Sequence, residues 1–372
     1  MDDRPKIVLL AFDGFPFHAF RAAMTPNLWR LAQEGGFSPD GGRSGLPSTS
    51  YPGFASLLTG ASQQRTGVRT TSRRLGAVPG WAGEDRCLVP TLVHAACAAG
   101  LHTAVVMGDQ KLQRAMRLDE VERAWPLHGV VPEGTELDAH GYPTNAAVRP
   151  HVLEAAADPN LDLLLVHLNE TDTRGHDFGP GAPETIACVR AADGIVGELL
   201  EVLASDWDRT VVAVVSDHDM TRRLPFPAID PMASRECAGL ADDWIADGGA
   251  AWLRLTPGVD AHMAINRLVA LEGVENWRWR APDVLMLLAA PGRVFATQTI
   301  PAGGIHGSLS TDRTLAIVAG GHPAVADLAA SIGDRSPRLR DWAPTLAGLL
   351  DIDLPDADGF DLLGESALQS AG

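Results

Sequence analysis

The stretch Ile7-Val8-Leu9-Leu10-Ala11-Phe12 is apolar at every position and is followed at once by Asp13-Gly14. An unbroken apolar run of this length predicts a central strand that is buried on both faces, as strands of parallel sheets are. Open α/β sheets bind their ligands at the carboxyl ends of such strands. The segment therefore predicts an α/β fold, with Asp13 placed where the chemistry of that fold occurs.

Apolar runs and helical patterns alternate along the chain after this first strand. Further strands are predicted at residues 102–107, 161–168 and 210–215. Helices are predicted from Thr25 as N-cap to Gly35-Gly36, and at residues 54–58, 90–99 and 183–203, with a loop rich in Gly, Ser and Pro at 38–52. The alternation predicts a mostly parallel central sheet flanked by helices on both faces.

The rhythm of strand and helix stops in residues 221–299, where several prolines and tryptophans interrupt it. We interpret this segment as an inserted cap that selects the substrate. The catalytic α/β domain then comprises residues 1–220 and 300–372. Within its second part, a returning strand is predicted at 314–318 and a closing helix at 338–350.

The composition limits the kind of partner. Of 372 residues, 30 are Lys or Arg and 47 are Asp or Glu, so the formal net charge is −17. This charge disfavours binding to duplex nucleic acid or to an anionic membrane. The longest apolar runs are strand-sized and fall far short of the roughly 20 residues of a membrane span. An anionic substrate would therefore require a local reversal of the electrostatic field.

The expected compartment is the cytoplasm. The segment Met1-Asp2-Asp3-Arg4-Pro5 carries acids where a signal peptide has its basic region. The cysteines lack the spacing of paired metal ligands or of dense disulfides, and we interpret them as reduced thiols in the core. They are Cys87, Cys97, Cys188 and Cys237.

Aspartates and histidines recur just after predicted strands or at the starts of helices. They are Asp13, Asp172, His176, Asp217, His218 and His306. Taken singly, each is more typical of a turn or a cap. Gathered at one edge of a sheet without a cation, three acids and three imidazoles would form a costly buried cluster. Together they predict the ligands of two zinc-like ions.

A nucleophile is expected in the segment Leu46-Pro47-Ser48-Thr49-Ser50-Tyr51-Pro52-Gly53-Phe54. A hydroxyl attacks only if a base or a metal removes its proton. A metal ligand at a helix N-terminus would achieve this, because the free backbone N–H groups also stabilise an anion. Ser48, Thr49 and Ser50 are equivalent on these grounds, and an ordinary N-cap followed by a turn is the alternative.

Taken in order, these motifs resemble the alkaline phosphatase superfamily, and within it the type I phosphodiesterase and nucleotide pyrophosphatase branch. The resemblance covers nearly the whole chain apart from the predicted cap. The matching segments are Phe12-Asp13-Gly14, Thr25-Pro26-Asn27-Leu28, Pro47-Ser48-Thr49-Ser50-Tyr51-Pro52, Ser56-Leu57-Leu58-Thr59-Gly60, Asp172 with Gly175-His176 and Gly179-Pro180, Ser216-Asp217-His218, His306-Gly307, Asp341-Trp342-Ala343-Pro344-Thr345 and Asp358-Gly359.

The resemblance implies a division of the ligands between two ions. One ion would be surrounded by Asp13, Ser50, Asp217 and His218, and the other by Asp172, His176 and His306. Ser50 occupies the position of the nucleophilic Thr or Ser. Members of the superfamily usually hold two zinc ions, and a mutase branch uses manganese, so two divalent ions are expected here, Zn²⁺ first and Mn²⁺ second.

The chain departs from the family pattern at two positions beside these ligands. Gly53 stands where the phosphodiesterase branch has an Asn that helps to hold a phosphate oxygen. Asp219 replaces the usual Gly after the Asp-His pair, and its extra negative charge is expected to disfavour a phosphate monoester. The sulfatase pattern is also broken, because it requires an Arg at the position of Phe54.

Four residues are candidates for contact with the substrate. Lys111 follows a predicted strand and would neutralise a substrate anion, or would be a solvated residue at a helix start. Tyr51 and Phe54 flank the proposed nucleophile and would stack on an aromatic leaving group, or pack in the core. Arg174 would orient a phosphate or form a structural ion pair.

The predicted function is a dinuclear metal-dependent hydrolase of phosphate diesters or nucleotide pyrophosphate-type bonds that acts through Ser50. The ligands do not separate this function from a phosphomonoesterase, a phosphonate hydrolase or a phosphoryl transferase. A metal-binding protein without turnover is the rival from another class. The partner is expected to be a small phosphate or phosphonate ester, and the oligomeric state stays open.

Overall fold

The computed structural model of the chain describes residues 4–71, 86–298 and 301–364. The strands of these residues are β1 (Lys6–Phe12), β2 (Gly36–Phe37), β3 (Gly42–Arg43), β4 (Thr103–Met107), β5 (Ala124–Trp125), β6 (Leu163–Leu168), β7 (Thr210–Ser216), β8 (Thr221–Arg222), β9 (Ala241–Asp247), β10 (Ala250–Leu255), β11 (Val274–Ala281), β12 (Val284–Ala289), β13 (Gly304–Ile305), β14 (Arg313–Thr314) and β15 (Ala316–Ala319). The α-helices are α1 (Pro26–Glu34), α2 (Ser50–Thr59), α3 (Gln63–Thr66), α4 (Leu92–Ala98), α5 (Gln110–Ala115), α6 (Asn145–Ala156), α7 (Glu170–Phe178), α8 (Pro183–Leu203), α9 (Ala261–Val269), α10 (Ala324–Gly333) and α11 (Leu339–Leu350).

The central sheet has seven strands in the order β2-β15-β7-β1-β6-β4-β5. The strands from β7 to β5 run parallel to their neighbours, with Ile7 paired to Leu163 on one side and to Val211 on the other. At the opposite edge, β15 runs antiparallel to β7, and β2 runs antiparallel to β15. The predicted α/β fold with a mostly parallel central sheet is confirmed.

Strand β1 is buried on both faces of the sheet, as its unbroken apolar sequence predicts. Ile7, Leu9 and Ala11 pack into one core cluster with α2, α4, α10 and α11. The alternate residues of β1 pack into a second cluster with α1, α6 and α8. Since burying one leucine side chain contributes roughly 1.5–3 kcal/mol, helices on both faces are the arrangement that such a strand requires.

Two helix starts differ from the predictions. The side chain of Thr25 does not cap α1, because its hydroxyl donates to the carbonyl of Ala19 (3.1 Å). The carboxylate of Asp193, in α8, instead accepts the backbone N–H of Asn27 (3.0 Å) and that of Leu28 (2.8 Å). A contact between helices far apart in sequence therefore begins α1, and local patterns cannot reveal it.

Helix α2 begins at Ser50, within the predicted loop and four residues before the predicted helical segment. Pro52 is compatible with this start, because the N–H groups of a first helical turn have no partner within the helix. The helix ends at Gly60, which adopts a left-handed conformation with φ of +69°. The early start places Ser50 at the first position of the helix.

Within the predicted inserted segment lies an antiparallel sheet of four strands in the order β11-β12-β10-β9. One face of this sheet packs against α9. The other face carries Ile245, Trp252 and Met286, which pack with Leu46 and Leu309 of the main fold. We call the unit formed by β9 to β12 and α9 the cap sheet.

The structure also bears on the predictions about a membrane span and about the four cysteines. None of the described helices has the length and apolar character that spanning a bilayer requires. All four cysteines are free thiols; Cys87, Cys188 and Cys237 are buried as expected. Cys97 is exposed, near the end of α4, so its assignment to the core was wrong.

Candidate metal centre

The carboxyl ends of three neighbouring strands bring the predicted ligands together. Asp13 directly follows β1, and Asp217 and His218 directly follow β7. The remaining strand of the three, β6, leads into α7, which carries Asp172 and His176. Because β6, β1 and β7 are adjacent and parallel, these side chains meet at one edge of the sheet.

The first group of ligand candidates, which we call the Asp13 cluster, consists of Asp13, Asp217 and His218. His218 Nε2 lies 3.2 Å from Asp217 Oδ2 and 3.6 Å from Asp13 Oδ1. All three side chains are buried, at 2% exposure or less. Their ligand atoms lie within 4.8 Å of one another, as the ligands of a single ion must.

The second group, the Asp172 cluster, consists of Asp172, His176 and His306. The Nε2 atoms of the two histidines are 3.0 Å apart. Asp172 Oδ1 lies 3.5 Å from His176 Nε2 and 3.8 Å from His306 Nε2. The rings of His306 and His218 stack with centroids 3.8 Å apart, so the two clusters adjoin.

The three histidines of these clusters share one orientation. Each directs Nδ1 at a backbone carbonyl: His176 at Gly304 (3.3 Å), His218 at Asp219 (3.0 Å) and His306 at Ser48 (3.1 Å). Because a carbonyl only accepts, the proton belongs on Nδ1, and Nε2 presents a lone pair to the shared space. Second-sphere hydrogen bonds of this kind orient histidine ligands in metal sites.

The carboxylates also have oxygens that lack donors. Asp172 Oδ1 and Asp217 Oδ2 are buried, and within the described residues neither has a hydrogen-bond partner. Burial, together with the nearby charge of Asp13, raises the pKa of both carboxyl groups well above its ordinary value. Lone pairs that face each other and buried carboxylates without donors both call for a cation, so the donor set fits two metal ions.

Protonation of the imidazoles would oppose metal binding, and the site disfavours it. Burial lowers the pKa of His218 to about 4. It also lowers the pKa of His176 and His306, the latter with the added repulsion of the other two histidines. The rings are therefore neutral near pH 7, which is the form that binds metals.

Asp13 is supported by a residue that sequence reasoning missed. His167 Nε2 lies 3.3 Å from Asp13 Oδ2, and the His167 side chain is fully buried. Burial alone would raise the pKa of Asp13, but hydrogen bonding and charge interaction with His167, and the charge interaction with His218, bring it below its ordinary value. The sequence signal that could have revealed His167 is that it is the single polar residue inside the apolar run of β6.

The geometry separates the three candidate nucleophiles. Ser48 Oγ donates to the Ser308 carbonyl (2.8 Å), and Thr49 Oγ1 points to Asp247 Oδ2 (3.5 Å). Ser50 Oγ lies 3.1 Å from Asp13 Oδ1 and 3.3 Å from His218 Nε2. Of the three hydroxyls, the structure brings that of Ser50 to the Asp13 cluster.

Comparison with known proteins identifies the family of this chain. The sequence model of the type I phosphodiesterase / nucleotide pyrophosphatase family matches residues 7–264. The chain belongs to this family. The family lies in the alkaline phosphatase superfamily, and the resemblance read from the motifs is thereby confirmed.

Two curated proteins are similar in sequence to this chain. Human ectonucleotide pyrophosphatase/phosphodiesterase family member 7 is 28% identical over 241 residues, which cover 58% of this chain and 48% of that protein. An uncharacterized pyrophosphatase/phosphodiesterase of Schizosaccharomyces pombe is 24% identical over 318 residues, covering 73% of this chain and 57% of that protein. The chain thus spans about half the length of the curated relatives it matches.

Solved structures share the fold over almost the whole chain. A phosphonoacetate hydrolase from Sinorhizobium meliloti, in complex with phosphonoacetate, has a TM-score of 0.70 at 18% identity and covers 93% of this chain and 96% of its own. Murine ectonucleotide pyrophosphatase/phosphodiesterase 5 has a TM-score of 0.67 at 15% identity and covers 95% and 97%. At these identities the likeness establishes the fold.

For two of the substrate candidates in this phosphodiesterase-family chain, the structure favours the alternative role. Phe54 is 1% exposed and meets the ring of His167 edge-on at 4.6 Å, so it packs in the core and cannot stack on a leaving group. Arg174 forms the structural ion pair that was its alternative role, with Nη2 3.1 Å from Glu170 Oε1.

The other two candidates keep some exposure. Tyr51 is half-buried and packs against the core cluster beneath α2. Lys111 lies at the start of α5 with Nζ 4.3 Å from the centroid of the Tyr142 ring. Burial and the charges of Asp109, Asp13 and Asp172 raise the pKa of Tyr142, so this pair lies on the side of the metal centre.

The structure shows what surrounds Gly53 and Asp219, the two residues that depart from the family pattern. A Cβ at Gly53 would lie 3.3 Å from Asp217 Cβ and 3.4 Å from Leu339 Cδ1, so a larger side chain is crowded there. Asp219 Oδ1 accepts the backbone N–H of Phe17 (3.0 Å) and of Met220 (2.7 Å). These donors give Asp219 a structural role in holding the segment after β1.

Proposed function

We propose that this chain is a two-metal hydrolase of phosphate diesters or nucleotide pyrophosphate-type bonds, with Ser50 as nucleophile. The observation that supports it most directly is the position of Ser50 Oγ, 3.1 Å from Asp13 Oδ1 at the first position of α2. A hydroxyl there has an acceptor for its proton and the N-terminal end of a helix for an incoming anion.

The two clusters are the proposed ligand sets, with Ser50 added to the Asp13 cluster. Their carboxylate and imidazole donors suit Zn²⁺ first and Mn²⁺ second. When bound, such cations supply the Lewis acidity that lowers the pKa of a hydroxyl and the positive charge that stabilises a phosphoryl group during transfer. That charge is also the local reversal of field that a net charge of −17 requires.

The residues of the chain have distinct parts in the proposed reaction. Asp13 accepts the hydrogen bond of the Ser50 hydroxyl and so directs the proton away from the attacking lone pair. A bond then forms from Ser50 Oγ to phosphorus as the bond from phosphorus to the departing oxygen breaks, and the proton that leaves Ser50 passes by way of Asp13 or solvent to the departing oxygen. Water later displaces the phosphoryl group from Ser50, which restores the hydroxyl.

A phosphonate hydrolase is the second candidate, and the position of Lys111 favours it. A lysine ammonium beside Tyr142 would neutralise a second anionic group on the substrate. The phosphonoacetate hydrolase of similar fold acts on a substrate of that type. For both candidate functions the substrate is a small phosphate ester or a small phosphonate, and the cap sheet selects it.

The free thiols of all four cysteines support a further proposal, that the protein works in the reducing environment of the cytoplasm. Disulfides persist mainly in oxidising compartments. Fractionation of the source cells, followed by detection of this chain in the soluble cytoplasmic extract or outside it, decides the point.

Turnover of bis(4-nitrophenyl) phosphate tests the proposed function. We expect the metal-replete protein to release nitrophenol, chelation to abolish the release, and added Zn²⁺ to restore it. Phosphonoacetate assayed in parallel separates the two candidates. A protein that binds two ions yet turns over neither phosphate nor phosphonate esters would be the non-catalytic metal-binding relative instead.

A further inference from the structure

A second concentration of charge lies away from the metal centre, in a cleft between the main fold and the cap sheet. Its volume is about 550 Å³, within the range of small-molecule sites. Its described lining includes no member of the Asp13 or Asp172 clusters and a single acid, Asp312. It includes five arginines: Arg43, Arg278, Arg280, Arg338 and Arg340. We call this site the arginine cleft.

Three of the five arginines in the cleft form no direct ion pair with a described acid, although Asp341 interacts with the charge of Arg338 at longer range. Arg43 pairs with Asp312 (3.4 Å), and Arg340 pairs with Asp358 (3.3 Å). The other three, Arg278, Arg280 and Arg338, form no ion pair with any described residue. On a chain with a net charge of −17, the cluster gives the cleft a local positive field that attracts anions.

Arg280 shows that the cluster is built into the fold. Its guanidinium is half-buried, donates to the carbonyl of Leu46 and lies 5.7 Å from the Trp252 ring centroid. Burial and the like charge of Arg278 lower its pKa to about 10. Holding two like charges together in this way costs free energy, and a bound anion would offset that cost.

Two further groups in the lining point to a ligand. Ser44 is 5% exposed, and its Oγ has no hydrogen-bond partner within the described residues. Trp279, from β11, is 39% exposed and lines the same cleft. An unused hydroxyl and several guanidinium groups suit phosphate oxygens, and an exposed indole suits a flat heterocycle.

We propose that the arginine cleft is a second binding site, separate from the metal centre, and that it binds a nucleotide through its phosphate groups. The guanidinium groups of Arg278, Arg280 and Arg338 contact the phosphate, and Trp279 stacks on the base. The proposal needs neither the metals nor the hydrolytic activity, so it stands independently of the proposed function.

Calorimetric titration of the metal-replete protein with AMP tests the proposal. We expect a binding event at the arginine cleft that survives removal of the metals, whether or not a second, chelator-sensitive event occurs at the metal centre. The double variant Arg278→Gln/Arg338→Gln replaces two exposed arginines and should weaken the chelator-resistant event at least tenfold. Arg235→Gln, an exposed arginine outside the cleft, is the matched control and should leave both events unchanged.

Each outcome of the titration is decisive. Loss of all AMP binding on chelation, or a chelator-resistant event that the double variant leaves intact, overturns the proposal. Adenosine and inorganic phosphate are titrated in parallel: phosphate should bind and adenosine should not, because the charges carry the recognition. Adenosine that binds as tightly as AMP would also overturn it. A chelator-resistant event without a chelator-sensitive one supports the cleft while it counts against the proposed function.

Discussion

The two ligand clusters contain similar residues but differ in their contact with solvent. In the Asp13 cluster the side chains are at most 2% exposed. In the Asp172 cluster Asp172 is 14% exposed, His176 32% and His306 10%. The proposed nucleophile, Ser50, adjoins the buried cluster, whereas the other cluster is partly exposed to solvent. Under the proposed function, substrate and water would approach from the Asp172 side, and the Asp13 side would hold Ser50 in place.

The two clusters also rest on different supports. Asp13 and Asp217 directly follow central strands of the sheet. His167, in β6, lies within hydrogen-bond distance of Asp13. His306 lies in a loop that depends on the cap sheet, because Gly249 donates its backbone N–H to the His306 carbonyl (2.6 Å). At Gly248, whose φ is +65°, a Cβ would lie 2.4 Å from that carbonyl oxygen. The solvent-facing cluster is therefore coupled to the region that we propose selects the substrate.

The largest expected effect is that of Ser50→Ala on turnover. Removal of the attacking oxygen should lower kcat by at least about a thousandfold, a loss of roughly 4 kcal/mol of transition-state stabilisation. Metal content should stay close to two ions per chain, because each cluster keeps its Asp and His ligands. Phosphate-ester kinetics and elemental analysis of the same preparation measure both quantities.

Ser48→Ala is the matched control for the nucleophile. Its hydroxyl bonds to the Ser308 carbonyl and to Thr311, so its loss should change kcat by less than about tenfold. If the Ser50→Ala protein retains most of the activity, Ser50 is not the nucleophile. The proposed difference in role between the two clusters would then be wrong.

Histidine replacements compare the two clusters directly. His176→Ala and His218→Ala should each remove about one ion per chain, and each should lower kcat by about a hundredfold or more. Only His218→Ala should also destabilise the fold strongly, by about 2–4 kcal/mol, because it opens a cavity at a fully buried site. Elemental analysis and urea unfolding of both variants, measured with chelator present, separate metal loss from packing. Equal destabilisation by the two variants would show that burial does not distinguish the clusters.

Much of this arrangement could be predicted from the sequence because its signals are local. The apolar run of β1 predicted a central strand, and residues that follow parallel strands meet at one edge of the sheet. Asp13, Asp172 and Asp217 were therefore placed together without knowledge of the three-dimensional contacts. The family motifs then separated Ser50 from Ser48 and Thr49, which local chemistry alone did not.

The features that were missed depend on contacts between distant segments. His167 was hidden inside an apolar strand, and Phe54 reads as an aromatic neighbour of the nucleophile although it points into the core. The arginine cleft collects side chains from position 43 to position 340, so no window of sequence reveals it. Such features arise from packing between elements, which periodicity and spacing do not encode.

The smallest expected effect concerns Asp247, which links the cap sheet to the segment before the nucleophile. Its buried carboxylate accepts hydrogen bonds from the hydroxyls of Thr70 (2.6 Å) and Thr49 (3.5 Å), and Thr49 precedes Ser50. Burial raises the pKa of Asp247 to about 6. The folded state thus binds a proton more readily than the unfolded chain, and this group destabilises the fold as the pH rises from about 4 through 6.

Asp247→Asn removes that titration, so the difference in unfolding free energy between variant and wild type should change with pH. From pH 4.5 to pH 7.5 the variant should gain about 2 kcal/mol relative to wild type, at roughly 1.4 kcal/mol for each pH unit between the lower end of this range and the folded-state pKa. Urea unfolding at several pH values measures the gain, with Asp243→Asn, an exposed position on the same strand, as the matched control. If the difference in unfolding free energy does not change with pH, the carboxyl group of Asp247 is not desolvated. The proposed contact of the cap sheet with the Ser50 segment through Asp247 would then be contradicted.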